Sequence, residues 1–181
     1  CIFFAKLTVS SGKQEVSVTV NIVNGVADDA RGFAETNGYI SLEAADFSSK
    51  KSDNGFNWAV IDNLGKTGSG VTPTPVFVSP QEITDSSPRL EYNVFLESKG
   101  EVKVHAYFSP TINYTTRDGL KYGIGFDDET PQIINLNEDS SDANWNQSVA
   151  NNIKVISSTH TLSESGNHTL KYYMVDSGVV L

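Results

Sequence analysis

The sequence predicts an all-β fold, an antiparallel β-sandwich of the jelly-roll kind with one short helix. Three observations point there. Leu90, Tyr92, Val94 and Leu96 alternate with Glu91, Asn93 and Phe95, and after the turn Ser98-Lys99-Gly100 the pattern recurs. There Val102, Val104, Ala106 and Phe108 alternate with Glu101, Lys103, His105 and Tyr107. Period-two alternation means strands with one buried face, and two such runs around a short turn read as an antiparallel pair. The other apolar runs are short and bounded by Gly, Pro, Asn, Asp and Ser. A single stretch, 139–152, has helical spacing.

Taken in order, Lys6–Val9 and Glu15–Val23 flank the turn Ser10-Ser11-Gly12-Lys13 and form a β-hairpin, with Val16, Val18, Val20 and Ile22 on one face. Small and polar residues follow from Asn24 to Gly32, including Asp28-Asp29, and read as a linker. Residues 1–31 are therefore expected to be a hairpin remnant of a preceding domain plus linker, and 32–181 the sandwich. A strand is expected at Gly38–Ala44, then a polar loop from Ser48 to Gly55, then a short strand at Trp58–Asp62. The glycines of 65–70 lack the phosphate-loop spacing, and Val71-Thr72-Pro73-Thr74-Pro75 cannot open a helix to face a phosphate.

Past the central pair, Gly119–Phe126 is a strand with Tyr122, Ile124 and Phe126 on one side. Gly123 and Gly125 leave its other side bare, so another backbone or a flat ligand can come close. Asp127–Pro131 is a turn into a strand at Gln132–Leu136. In the helix, Ser141 or Asp142 is the N-cap, and Trp145, Val149 and Ile153 share a face. Ile153–Ser157 and His168–Val175 complete the strands.

Composition narrows function. The net charge of −9 repels phosphate backbones and disfavours nucleic acid. No apolar run approaches the ~20 residues of a membrane-spanning helix. With 19% charged residues and many Ser, Thr and Asn, the chain suits a secreted, periplasmic or cell-surface bacterial module. Its one cysteine, Cys1, permits no intrachain disulfide. Cys1 is read as the point where this piece begins, with a lipidated N-terminus as the alternative. The apolar tail Met174–Leu181 stops within a strand pattern, as a piece cut from a longer polypeptide would.

The residues offer binding chemistry more than catalysis. His105, His160 and His168 show no metal-ligand spacing, and no GxSxG context surrounds a serine. Asp127-Asp128, the most obvious carboxylate pair, falls on a turn that favours Asp for its backbone hydrogen bonds. Glu43 and Asp46 could contribute oxygens to a structural calcium site. Asn113, Tyr114, Arg117 and Asp118 lie in the polar loop 109–118, and Trp58 and Trp145 could extend a platform on which a sugar stacks. A sandwich core is the ordinary place for tryptophan, and Trp58 is weighed toward it. Asn113, Asn146 and Asn167 begin N-glycosylation patterns that arise easily in so Asn- and Ser-rich a chain.

Six blocks in order carry a resemblance: GYISLEAADF (38–47), WAVIDNLGKTGSGV (58–71), SPRLEYNVFL (87–96), GEVKVHAYFSPTIN (100–113), GLKYGIGFDDETPQIINLN (119–137) and NIKVISSTHTLSESGNHTLKYYMVDSGVVL (152–181). Together they resemble the C-terminal domain of glycoside hydrolase family 115, the xylan α-1,2-glucuronidases. EAADF is similar, more weakly, to the opening strand of carbohydrate-binding module families 6 and 35, where an EAE-type motif helps hold calcium. Here Ala45 stands in place of the second acid. The resemblance implies a carbohydrate-binding-module-like sandwich with no catalytic residue of its own, whose parent enzyme carries its active site in a barrel domain. It implies plant polysaccharide, xylan or glucuronoxylan, as partner and a homodimer through the parent. The alternative it implies is a structural or dimerisation domain that shapes the substrate cleft without binding sugar.

Overall fold

The computed structural model describes residues 2–23, 29–52 and 55–181, the side chains of 2–5 and 21–23 excepted. Cys1, residues 24–28 of the expected linker and residues 53–54 of the expected polar loop lie outside the described residues. The chain divides into two compact units, Cys1–Ala30 and Arg31–Leu181.

The first unit is a hairpin of β1 (Ile2–Ser11) and β2 (Gln14–Val23), paired from Ile2↔Val23 to Ser11↔Gln14. Gly12, at φ 61, takes the turn position where a left-handed backbone lets the strands keep their twist. Leu7 lies opposite Val18 and Val9 opposite Val16, and all four are exposed.

The second unit is a two-layer sandwich. One layer holds β10 (Gln132–Asn135), β9 (Lys121–Phe126), β12 (Gly166–Met174), β7 (Arg89–Leu96) and β3 (Phe33–Ala34), in that order. β4 (Ser49–Lys51) also pairs with β7. The other layer has two ribbons, β5 (Asn57–Asp62) with β6 (Ser69–Thr74), and β8 (Gly100–Phe108) with β11 (Lys154–Leu162). Between the layers Trp58, Leu90, Tyr92, Phe108, Tyr122 and Tyr172 form the main core. Val94, Leu96, Phe126 and Leu162 form a second cluster.

The expected pairing of β7 with β8 is corrected. β7 bonds to β12, β3 and β4, whereas β8 bonds to β11. The turn at 97–99 carries the chain from one layer to the other, so the two alternating strands face each other across the core. Alternation reports which side chains are buried, and both strands do bury Leu90, Tyr92, Ala106 and Phe108. It does not name the hydrogen-bonded neighbour.

Two neighbouring expectations also change. Gly38–Ala44 is not a strand: only the bridge Thr36↔Tyr39 forms, and the backbone then turns. Glu43 accepts the Asp46 N–H at 3.0 Å, and Ala44 accepts the Tyr92 hydroxyl at 2.7 Å. A buried tyrosine needs an acceptor, and this carbonyl is spent on it rather than on a ladder. The chain returns to β7 through Ser48 N–H to Glu91 O, 2.8 Å, so that 49–51 is a strand where a loop was expected.

The helix α1 (Asp142–Asn151) has Ser141 as N-cap, accepting from the Asn144 N–H, and Asn152 as its left-handed C-cap at φ 53. Its buried residue is Ser148, whereas Trp145 and Val149, expected to pack, are partly or largely exposed. The bare face of β9 is filled from within the chain. A Cβ on Gly123 would lie 2.2 Å from Ile83 Cδ1, and one on Gly125 3.1 Å from Glu129 Cγ. These glycines admit the protein's own packing, not a ligand.

The core tyrosines set an alkaline limit. Burial pushes Tyr92, Tyr122 and Tyr172 well above the ordinary phenol range. A folded pKa above the unfolded one means the folded state holds its proton longer. Their contribution is complete below the unfolded value of about 10 and is lost as pH rises beyond it. Urea unfolding is therefore expected to give constant stability up to about pH 9 and a decline above about pH 10. Ionisation of these rings, followed at 295 nm, should coincide with unfolding; ionisation in the folded state would contradict their burial.

Candidate aromatic platform at one end of the sandwich

The ends of β6, β8 and β12 and the start of β9 meet at one edge of the sandwich, where 75–78, 109–118 and 176–178 converge. The base of this edge is polar and satisfied. Asp176 is 3% exposed. It accepts the Lys121 N–H at 2.8 Å on Oδ2, while Oδ1 pairs with the Arg117 guanidinium. Asp176 is thereby a two-armed anchor that joins β9 to the polar loop.

Asn113 closes the loop on itself. Its Oδ1 accepts from the Thr115 N–H (3.0 Å) and hydroxyl (2.7 Å), and its Nδ2 donates to Arg117 O (2.7 Å). This is the turn chemistry that Asn favours. The expectation that Asn113 reaches a sugar is corrected, because its amide is committed within the loop. Arg117 keeps 40% exposure despite its ion pair, so part of its guanidinium faces water.

Tyr114 stands on this base. Its hydroxyl donates to Ser177 O at 2.8 Å, and its ring lies over Gly178, where a Cβ would come within 2.7 Å of the ring. Glycine at 178, φ 82, is what permits that approach. Beside Tyr114 lies Phe77, edge to face, with ring centroids 5.5 Å apart and planes at 76°. Phe77 is 80% exposed and Tyr114 42%. Phe77 also has φ 70, a region that bulky side chains rarely occupy. The arrangement offers two fixed rings and a half-exposed cation on one surface, chemistry suited to the apolar face and hydroxyls of a sugar.

Sequence reasoning found Tyr114 and Arg117 but not Phe77, Asp176 or Gly178. The available signal for Phe77 was an apolar pair, Val76-Phe77, set between prolines 75 and 80 in a loop-like context. Trp58 is corrected: it is 3% exposed, packs on Tyr172 at 5.9 Å and donates Nε1–H to Lys51 O. No face of its ring is open to a sugar. Trp145 lies on α1, partly exposed, and among the described residues no ring contact joins it to Tyr114.

Glu43 and Asp46 share their turn, with the Glu43 carboxylate against Gly68. Among the described residues no group of three or more His, Cys, Asp and Glu converges, so these two acids have no third beside them. The segment's turned backbone also departs from the opening strand expected of a carbohydrate-binding module.

The histidines are partnered. His160 bonds Glu129 through Nδ1 and the Ser158 hydroxyl through Nε2 at 2.8 Å. The order Ser–His–carboxylate is that of a hydrolytic relay. Ser158 and His160 are 6% and 2% exposed, however, so no substrate reaches the hydroxyl, and the trio is a satisfied core network. His168 bonds Asp127 at 2.7 Å, and Asp127 also accepts the Thr169 N–H. Asp127 thus does turn and strand chemistry, as its position implied.

The family model for the glycosyl hydrolase family 115 C-terminal domain matches residues 32–181. No curated protein matches. Among solved structures, the chain is similar to a family GH115 4-O-methyl-α-glucuronidase with specificity for decorated arabinogalactans, at 16% identity and a TM-score of 0.59. The match covers 77% of this chain and 16% of that one, so this chain spans a small part of that protein, and at this identity the likeness shows the fold. Strand order, core and family match agree, and the chain belongs to the glycosyl hydrolase family 115 C-terminal domains.

Proposed function

We propose that this chain is a non-catalytic accessory module of a secreted glycoside hydrolase, a xylan α-1,2-glucuronidase, that acts on plant cell walls. It contacts polysaccharide through the Phe77–Tyr114 platform, with Arg117 bonding hydroxyl or uronate groups at the rim. The carrying observation is Phe77, an aromatic side chain 80% exposed on a left-handed backbone. Strain of this kind, retained without burial in return, clusters at ligand clamps. Xylan and glucuronoxylan are the expected polysaccharides. Decorated arabinogalactan belongs beside them because the solved relative acts on it. The hairpin of the first unit is the edge of a preceding domain, a reading supported by its exposed Leu7–Val18 and Val9–Val16 pairs.

Phe77→Ala is expected to leave stability within about 0.5 kcal/mol, since the ring is largely solvated. Retention on glucuronoxylan in affinity electrophoresis should fall by about tenfold, the size of one lost stacking contact. Unchanged migration of Phe77→Ala and Tyr114→Ala on all three polysaccharides would remove this site.

A second reading, a structural or dimerisation domain, is favoured by other residues. Tyr107 and Val155 are cross-strand neighbours on the outer face of β8 and β11, and both are exposed. Concentration-dependent sedimentation abolished by Tyr107→Glu, with no polysaccharide retention, would select it.

A further inference from the structure

The layer built from β5–β6 and β8–β11 is open along one line. Val71 and Leu181 exchange both backbone hydrogen bonds, at 2.7 and 2.9 Å, which marks an antiparallel pair. On the other flank the Ser109 N–H donates to Val180 O at 3.0 Å, and Thr72 Oγ1 donates to Val179 O. Residues 179–181 therefore lie as a short strand between β6 and the end of β8. Beyond Leu181 both flanks run on, β6 back to Ser69 and β8 back to Gly100. Among the described residues β6 pairs only with β5 and β8 only with β11, so their facing edges carry no ladder there.

This line coincides with a cavity of ≈ 850 Å³. Leu64–Thr67, Ser69 and Gly70 border it on one side and Lys99–Ser109 on the other, with Leu181 also in its lining. Its floor is the core surface of the opposite layer, Tyr92, Ile124, Phe126, Leu170 and Tyr172. Because Val71 and Ser109 turn their backbone groups to the tail, period two turns those of Ser69, Lys103, His105 and Tyr107 to the opening. An apolar floor between two unpaired edges is the geometry that takes up an added strand.

We propose that this opening is a slot for one extended β-strand, antiparallel to β6 and β8 and in line with 179–181. Its occupant is polypeptide running on from Leu181, because there the backbone direction and register are already set by hydrogen bonds on both flanks. About six residues at ~3.3 Å each span the remaining edge of β8. Val179 is buried and Leu181 packs against the core, so odd positions point inward and the occupant is apolar at 183, 185 and 187.

The test compares the 181-residue chain with three versions lengthened after Leu181. Thr-Val-Thr-Val-Thr-Val places valine inward, Val-Thr-Val-Thr-Val-Thr places it outward, and Thr-Pro-Thr-Pro-Thr-Pro removes ladder donors. The first is expected to raise Tm by about 5 °C and to slow amide exchange at His105 and Tyr107 by tenfold or more. The other two should change neither, since a one-residue slip turns every side chain to the wrong face. Equal behaviour of all three overturns the slot. Equal protection by free Thr-Val-Thr-Val-Thr-Val at about 1 mM, close to the effective concentration of a short tether, overturns the assignment of the occupant to polypeptide joined at Leu181.

Discussion

Phe108→Ala is expected to destabilise the chain by about 3–5 kcal/mol, the largest effect of any single truncation considered. Phe108 is 1% exposed at the end of β8. Its ring lies 4.8 Å from that of Tyr122 and 6.4 Å from that of Tyr172. Those rings belong to the opposite layer, so Phe108 joins the two sheets where their central strands meet. Truncation removes the buried ring and leaves a space that stiff aromatic neighbours cannot close. Ser109, the next residue, holds the Val180 carbonyl, so a shift of β8 also weakens the seat of 179–181. Tyr107→Ala, one residue away and 55% exposed, should cost about 0.5 kcal/mol or less. At ~2–4 °C per kcal/mol for a chain of this size, thermal unfolding should separate the two by roughly 10 °C. Similar small losses for both would show that β8 does not face the core as described.

Asp176→Ala is expected to cost about 2–3 kcal/mol and to loosen the aromatic platform although Asp176 touches no ligand. Its removal leaves the Lys121 amide at the start of β9 without its acceptor, and Arg117 without its ion partner. Breaking a deeply buried pair costs more, but the Arg117 guanidinium is 40% exposed and rehydrates, which reduces the loss. Asp176→Asn retains one oxygen for the Lys121 N–H and should lose only about 1 kcal/mol. Loop amides give the readout that separates anchoring from simple destabilisation. Thr115 and Arg117 N–H groups are bonded inside the loop, and both should exchange faster in Asp176→Ala while amides in the centre of β7 do not. Polysaccharide retention should fall in parallel. Protection of Thr115 and Arg117 as in the parent chain would mean the loop holds its shape without the anchor.

Much of this architecture was legible in one dimension. The alternation of 90–96 and 102–108 marked the buried residues of β7 and β8, the Ser141 cap marked the start of α1, and Asp127 was recognisable as a turn residue. Six blocks of sequence led to the same family that the match over 32–181 shows. The platform was half legible: Tyr114 and Arg117 stood out in a polar loop, while Phe77 lies 37 residues from Tyr114 and meets it only through folding. Trp58 and Asn113 had the right chemistry for sugar and the wrong surroundings. One ring is enclosed by the core, and one amide is taken by its own loop.

By itself the sequence determined which side chains point inward, where strands and helix break, and which turns the backbone can make. Those properties follow from side-chain polarity and local dihedral preference, which each residue carries with it. Only the tertiary structure decided which strand lies beside which, that β7 and β8 face each other across the core, and that Gly123 and Gly125 receive Ile83 and Glu129. It also decided that Ser158, His160 and Glu129 form a closed network, and that Phe77 meets Tyr114 above Asp176. Neighbours, free faces and spent hydrogen bonds depend on contacts between residues far apart in the chain, which no local pattern encodes.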